Sequence, residues 1–402
     1  MIESEAANQY MTAVVDGQHG RVVKLEGGNF SGRSAFIAEC VNLTLQSGHL
    51  AIFLPPDLPV SGMMSSVEDE LALHLGPRSS ASCHWKLAQE WGLTALGAQR
   101  LHHLSGGQTA MLVILCKLAL MPRLLGLDGA LEQLDPSNVE RVLTALSANE
   151  ALPNDAVVLI AHNGLLPVLL PSLPCALEKV PRAEVPKLRA DQLVHKPFCH
   201  PLDLQIRGGS FGYTPDRLIF QDLNLHLKAG HIYRLAGPNG AGKTTLALIL
   251  LGHLRLRSGE IIAGGESTDP FEAPGSLASY HFQRPDDQLF ESSVRMEIAT
   301  LPMDLREQAI LFGSMESELS SHPFDLPFVL RKRLALSVVL PLQTPWLIVD
   351  EPTLGQDEAN RAEIATALRA IASAGRGVLL ITHDGAFAES VIDHTIHLAR
   401  PL

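Results

Sequence analysis

The 402-residue chain has no long apolar run. Its most apolar stretches, LALILLGHL and LALSVVLPL, fall well short of the roughly 18–20 residues that span a bilayer, so any membrane role needs a partner. It has no run of Lys or Arg, and its net charge is −12. A basic field supplies most of the affinity for nucleic acid, so this balance argues against nucleic acid as the main partner. The five cysteines (Cys40, Cys83, Cys116, Cys175, Cys199) are odd in number and form no CxxC, the pattern of reduced thiols in a cytosolic protein. His195-x3-Cys199-His200 has no fourth ligand nearby and is read as linker, not as a metal site. The acidic start, MIESEAANQY, lacks the charged-then-apolar layout of a signal peptide. Aromatics are scarce at 5%, yet 46% apolar and 18% charged residues describe an ordinary globular chain long enough for two or three domains.

Two phosphate-loop spacings are present. EGGNFSGRSAF contains Gly27-x4-Gly32-Arg33-Ser34, with Arg where such loops carry Lys. GPNGAGKTT contains Gly237-x4-Gly242-Lys243-Thr244. Each follows an apolar strand-like run (RVVKL, HIYRLA) and precedes an apolar helical run, the setting this motif requires. Downstream, LLGLD ends at Asp128 and WLIVD at Asp350, while VVLIAHN carries His162 and VLLITHD carries His383. The offsets are 210, 222 and 221 residues, so one order of motifs occurs twice at nearly one spacing, an internal duplication. The first half is expected at 1–183 and the second at 201–402. Between them lies a Pro-containing linker, 184–200. Alternating strand and helix runs predict a mostly parallel α/β sheet in each half.

In the second half the loop Gly237, Asn239, Gly240, Gly242, Lys243, Thr244, Thr245 makes an anion nest at a helix N-terminus. Lys243 would reach the β- and γ-phosphates and Thr244 would offer its hydroxyl to Mg²⁺. Asp350, ending a buried strand, would hold Mg²⁺, and Glu351 would polarise the attacking water. His383 ends a later strand and would contact the γ-phosphate. Taken singly, Asp350-Glu351 reads equally well as a solvated strand end and His383 as a core histidine; the full phosphate loop before them tips the balance to chemistry. In the first half, LSGGQ (104–108) precedes the helical run TAMLVILCKLALM. Ser105, Gly106, Gly107 and Gln108 there make a second kind of phosphate cradle, because glycines let the backbone approach an anion.

Phosphate loop, LSGGQ, strand-end Asp and strand-end His, in that order and twice over, resemble a tandem ABC-type ATPase. The resemblance implies two P-loop NTPase domains in tandem, each a mostly parallel sheet flanked by helices with a helical subdomain. It implies ATP and Mg²⁺ as cofactors, each ATP held between the phosphate loop of one domain and the LSGGQ of the other. By the same resemblance Tyr213 would stack on adenine, with a buried strand tyrosine as the alternative. Gln283, in FQRPDDQLF, would be the glutamine that senses Mg²⁺ and a transmembrane partner. Asp135 and Asp357 would lie in short loops crossing the dimer interface. PDDQLF resembles the energy-coupling-factor importers.

Both halves depart from this pattern. The first has Arg33 for the loop Lys, Gly129 where the second has Glu351, FLPPDLPVSGMM in the glutamine-loop region, and no aromatic matching Tyr213. The second reads LPFVL (326–330) at its signature position, without Ser or a Gly pair. One pairing of motifs is thus damaged on both faces, and the other is intact on both. The expectation is an ATP-hydrolysing subunit with one competent composite site, placed at the cytoplasmic face of the cell membrane through a permease or coupling partner. A soluble ribosome- or DNA-associated ATPase and a non-hydrolysing nucleotide switch stay open as alternatives, as does pairing between two chains instead of within one.

Overall fold

A computed structural model describes residues 22–26, 33–56, 58, 64–77, 82–101, 104–148, 151–162, 166, 170–174, 188–193, 201–214, 218–238 and 240–399. The loop 27–32, Asn239 and the stretch His195–His200 lie outside them. The chain divides into two compact units, Met1–Val185 and Pro186–Leu402.

In the first unit, strands β1 (Val22–Glu26), β2 (Ala51–Leu54), β3 (Leu124–Asp128), β4 (Val157–Ala161) and β5 (Ser172–Pro174) form one parallel sheet in the order β2-β3-β4-β1-β5. The helices are α1 (Arg33–Gln46), α2 (Val67–Leu75), α3 (Cys83–Glu90), α4 (Gly106–Leu118) and α5 (Pro136–Ser147). A parallel sheet buried on both faces needs strands apolar at every position, and β4 is buried at all five. Leu25, Leu124 and Leu159 meet Phe36 and Ile37 of α1 on one face, while Leu127, Val158 and Ile160 join the core of α3, α4 and α5 on the other. Helix α1 lies so close to β3 that a side chain at Gly126 would strike Ile37.

The second unit repeats this order. Strands β8 (Ile232–Ala236), β11 (Ala278–His281), β12 (Trp346–Asp350), β13 (Gly377–Ile381) and β14 (His394–His397) run parallel as β11-β12-β13-β8-β14. Strand for strand this matches β2-β3-β4-β1-β5, so the doubled motif order has a doubled topology beneath it. The second unit adds an antiparallel sheet, β10-β9-β6-β7, from β6 (Leu204–Phe211), β7 (Phe220–Leu227), β9 (Ser258–Ala263) and β10 (Glu266–Thr268). Among the described residues the first unit has no such sheet. The helices are α6 (Lys243–Leu251), α7 (Val294–Ala299), α8 (Met303–Gly313), α9 (Phe328–Val339), α10 (Glu358–Ser373) and α11 (Gly385–Val391).

Part of the segment read as linker is built into this unit. Leu188, Ala190 and Leu193 are buried. The Leu188 N–H donates to Asn360 Oδ1 at 3.0 Å, the Ala190 N–H to Glu363 Oε2 at 2.9 Å and the Arg189 N–H to the Phe312 carbonyl at 2.9 Å. Spaced apolar residues in LRADQL find a groove between α8 and α10, a tertiary preference that composition alone does not display. Among the described residues no helix is long and apolar enough to cross a membrane.

Candidate functional site

The site lies at the carboxyl ends of the second unit's parallel strands, where open α/β sheets place their ligand crevice. The turn after β8 carries the phosphate loop. Gly237, Gly240 and Gly242 all adopt positive φ. At Gly242 a side chain would meet Phe220 and Ile219 at 2.6 Å, so only glycine lets the loop close onto α6. Lys243 Nζ donates to the carbonyls of Gly237 at 2.8 Å and Pro238 at 3.3 Å, which folds the ammonium over the loop. Thr244 is exposed on the first helical turn. Thr245 is buried, and its hydroxyl lies 3.2 Å from that of Tyr213. Tyr213 itself is 62% exposed and packs edge-on to Phe211, so it is not a core tyrosine: it stands as an open aromatic face beside the phosphate loop.

Asp350 ends β12 and accepts a 2.8 Å hydrogen bond from the Tyr280 hydroxyl. Burial first, then the Glu351 charge, push its carboxyl up to about 6, against the pull of Tyr280, Lys332 and Lys243. Glu351 accepts from the Thr382 hydroxyl at 2.9 Å and from the His383 N–H at 2.7 Å. Burial pushes it up to about 7 despite those donors, near the value that suits a base working at neutral pH. The His383 ring stands 4.0 Å from the Glu351 carboxylate. Gln283 follows β11 and is half-buried, its carbonyl held at 2.6 Å by Lys332. Four strand ends thus bring the phosphate loop, Asp350, Glu351, His383 and Gln283 to one edge. The Thr244 hydroxyl, Asp350 carboxylate and Gln283 carboxamide are hard oxygen donors of the kind Mg²⁺ takes, and the buried Asp350 carboxylate, hydrogen-bonded by Tyr280, fits that ion.

Glu351 has φ +46°, the left-handed region that costs a non-glycine residue about 1 kcal/mol. Its counterpart Gly129 has φ +67°. The strand-end turn demands this conformation in both units. Glycine adopts it without strain, whereas the second unit keeps a strained glutamate.

In the first unit, Arg33 is buried and donates to the His162 carbonyl at 3.3 Å. Burial holds the Asp128 carboxyl above the usual carboxylate range, against the pull of a hydrogen bond from Ser34 and the charge of Arg33. Pro56 sits where a Cβ at Gly129 would come within 3.1 Å of it, so this strand end is closed over by proline. Ser105 caps α4: its hydroxyl accepts from the Gln108 N–H at 3.3 Å, and Gln108 Oε1 accepts from the Ser105 N–H at 2.9 Å. Gly106 and Gly107 form the first turn without side chains. The matching helix α9 starts instead with Pro327 and the buried Phe328, which packs on Gly355 and leaves no side-chain cap. Asp135 and Asp357 are the N-caps of α5 and α10, accepting from the Asn138 N–H at 2.9 Å and the Asn360 N–H at 3.1 Å.

Three residues that touch these groups carry no signal in the sequence. Tyr280 and Thr382 are polar residues beside apolar strand runs, indistinguishable by pattern from strand fillers. Lys332 stood out only as a charge within the apolar run RKRLALSVVL.

A strand, a glycine loop closed by Lys243 and a helix, with acidic residues at the end of another parallel strand of the same sheet, define a P-loop nucleotide-binding fold. A family model described as "ABC transporter" matches residues 220–354. A protein of Pyrococcus abyssi named as an ABC transporter ATP-binding protein is 30% identical over 200 residues, covering 47% of this chain and 76% of its own length. One of Bacillus subtilis, named as the HMP/thiamine import ATP-binding protein YkoD, is 24% identical over 467 residues, covering 95% and 85%. Among solved structures, an RNase-L Inhibitor shares the fold over 94% of this chain and 83% of its own, with TM-score 0.58 and 15% identity. The chain belongs to the ABC transporter ATP-binding proteins.

Proposed function

We propose that the chain is the ATP-hydrolysing engine of a membrane transporter, with one working site. The second unit would supply the phosphate loop, Asp350, Glu351, Gln283 and His383. The first would supply Ser105, Gly106 and Gly107. What carries this reading is the complementary loss. Helix α4 begins with the capping Ser105 and a glycine pair without side chains, whereas α9 begins with Pro327 and a packed Phe328. The end of β12 carries Asp350-Glu351, and the end of β3 carries Asp128-Gly129 under Pro56. Each unit lacks what the other keeps.

Bound Mg²⁺ would neutralise charge on the terminal phosphates. Lys243 and the α6 N-terminus would orient those phosphates, Tyr213 would stack on the base, and Glu351 would draw a proton from the attacking water, with its carboxylate oriented by Thr382 and the His383 N–H. Arg33 would bind phosphate through its planar fork without supporting turnover, because Gly129 has no carboxylate. The permease partner is a membrane protein, and the similarity to an importer's ATP-binding protein supports import. Turnover of purified chain in wild type, Glu351→Gln and Arg33→Ala tests the reading: loss in the first variant and retention in the second are expected, and turnover that survives Glu351→Gln contradicts it. Co-purification with a membrane protein supports the transport assignment; co-purification with rRNA or tRNA supports a soluble ATPase instead.

A further inference from the structure

Lys332 is fully buried on α9, yet the reaction outlined above does not use it. Its Nζ donates to two consecutive carbonyls, Phe282 at 3.0 Å and Gln283 at 2.6 Å. The same helix grips the same loop twice more. Gln288 takes the Phe282 N–H on its Oε1 at 3.0 Å and donates its amide to the Ala335 carbonyl at 2.8 Å. Arg331 pairs with Asp286 at 3.2 Å. The next residue, Arg333, donates to Gln356 Oε1 at 3.4 Å, on the loop before Asp357. Lys332 also lies within electrostatic reach of Asp350 and Glu351. An apolar side chain of similar length would fill the position without the cost of burying an ammonium, and buried ions are often replaced by apolar residues at no loss of stability. The lysine is therefore unlike a packing element: it offers donors to a main-chain turn that no aliphatic residue could hold.

We propose that Lys332 is a positioning residue, fixing the main chain of Phe282-Gln283 relative to the β12 carboxylates so that Gln283 is carried at the right place for the metal and the reaction. This rests on the ATP-hydrolysing reading above. It assigns α9, freed from nucleotide contact by Pro327 and Phe328, a role inside its own unit.

The test uses the full chain as wild type, Lys332→Met and Lys332→Arg. Binding of a fluorescent ATP analogue is measured in EDTA and across a Mg²⁺ titration, alongside turnover and melting temperature. In EDTA all three are expected to bind alike, since the phosphate loop and Tyr213 are untouched. In Lys332→Met the Mg²⁺ concentration for half-effect should rise about tenfold and kcat fall about tenfold, the size of one lost charged hydrogen bond, with the ATP KM nearly unchanged. Lys332→Arg, which can donate to the same carbonyls, should recover most of both. An unchanged Mg²⁺ dependence in folded Lys332→Met overturns the proposal, and so does equal damage in both variants tracked only by melting temperature. If Lys332→Met does not fold, Lys332→Gln, which keeps an amide donor, is judged by the same titration. Should the wild type bind nucleotide with Mg²⁺ but never turn it over, the hydrolytic reading fails, and the Mg²⁺ titration still decides the role of Lys332.

Discussion

Replacing Glu351 with Gln separates the chemistry of this residue from its cost to the fold. The wild-type carboxyl ionises near 4.5 when unfolded and at about 7 when folded, because burial penalises the charge. A raised carboxyl contributes stability that is fully present below the unfolded value and is lost as pH climbs to the folded one. From pH 5.5 to 7 that is about 1.5 units, or roughly 2 kcal/mol, and above about 7 the loss is complete. Gln carries no proton equilibrium. It can still accept from the His383 N–H and donate to the Thr382 hydroxyl, the groups that Glu351 now engages. Thermal unfolding of nucleotide-free wild type and Glu351→Gln between pH 5.5 and 8 should therefore show the variant gaining on wild type as pH rises, by about 2–4 °C per kcal/mol for a unit of this size. The gap should then stay level above neutral pH while turnover is abolished throughout. Melting curves that run parallel across this range would mean that the carboxylate is not desolvated.

Other expectations follow from the same geometry. Tyr213→Ala should raise the KM for ATP about tenfold, the value of one stacking contact, and leave the melting temperature unmoved because the side chain is exposed. Tyr280→Phe removes the donor to Asp350 and should lower turnover several-fold with folding intact, read from kcat against circular dichroism. Gly242→Ala forces a side chain into Phe220 at φ +92°, so nucleotide binding should be lost together with at least about 1 kcal/mol of stability by urea titration. Asp357→Ala deletes a helix cap and should cost about 1 kcal/mol by urea titration.

Much of this was legible in the sequence because the signals were periodic or punctuated. Fully apolar runs ending in Asp gave β3 and β12, and glycine spacing gave the loop before α6. The order of motifs gave the repeat that the two sheets now display strand for strand. Side-chain partnership was not legible. Nothing in SYH marks Tyr280 as the donor to Asp350, since that contact bridges two strands 70 residues apart in the chain. Nor does the sequence show that the glutamate at 351 occupies a left-handed turn. Comparison with Gly129 brings it out: both positions take positive φ, and only 351 carries a carboxylate. The same holds for the segment 188–193, whose partners on α8 and α10 lie up to 173 residues downstream.

On the proposed reading, hydrolysis at the second unit's phosphate loop requires the LSGGQ of the first. Steady-state ATP turnover of Ser105→Arg, in chain shown by its melting curve to be folded, tests it most directly. Turnover as low as that of Glu351→Gln is expected, since an arginine at the start of α4 would crowd the turn that Gly106 and Gly107 leave without side chains. Turnover at the wild-type level would contradict it and leave the second unit working alone.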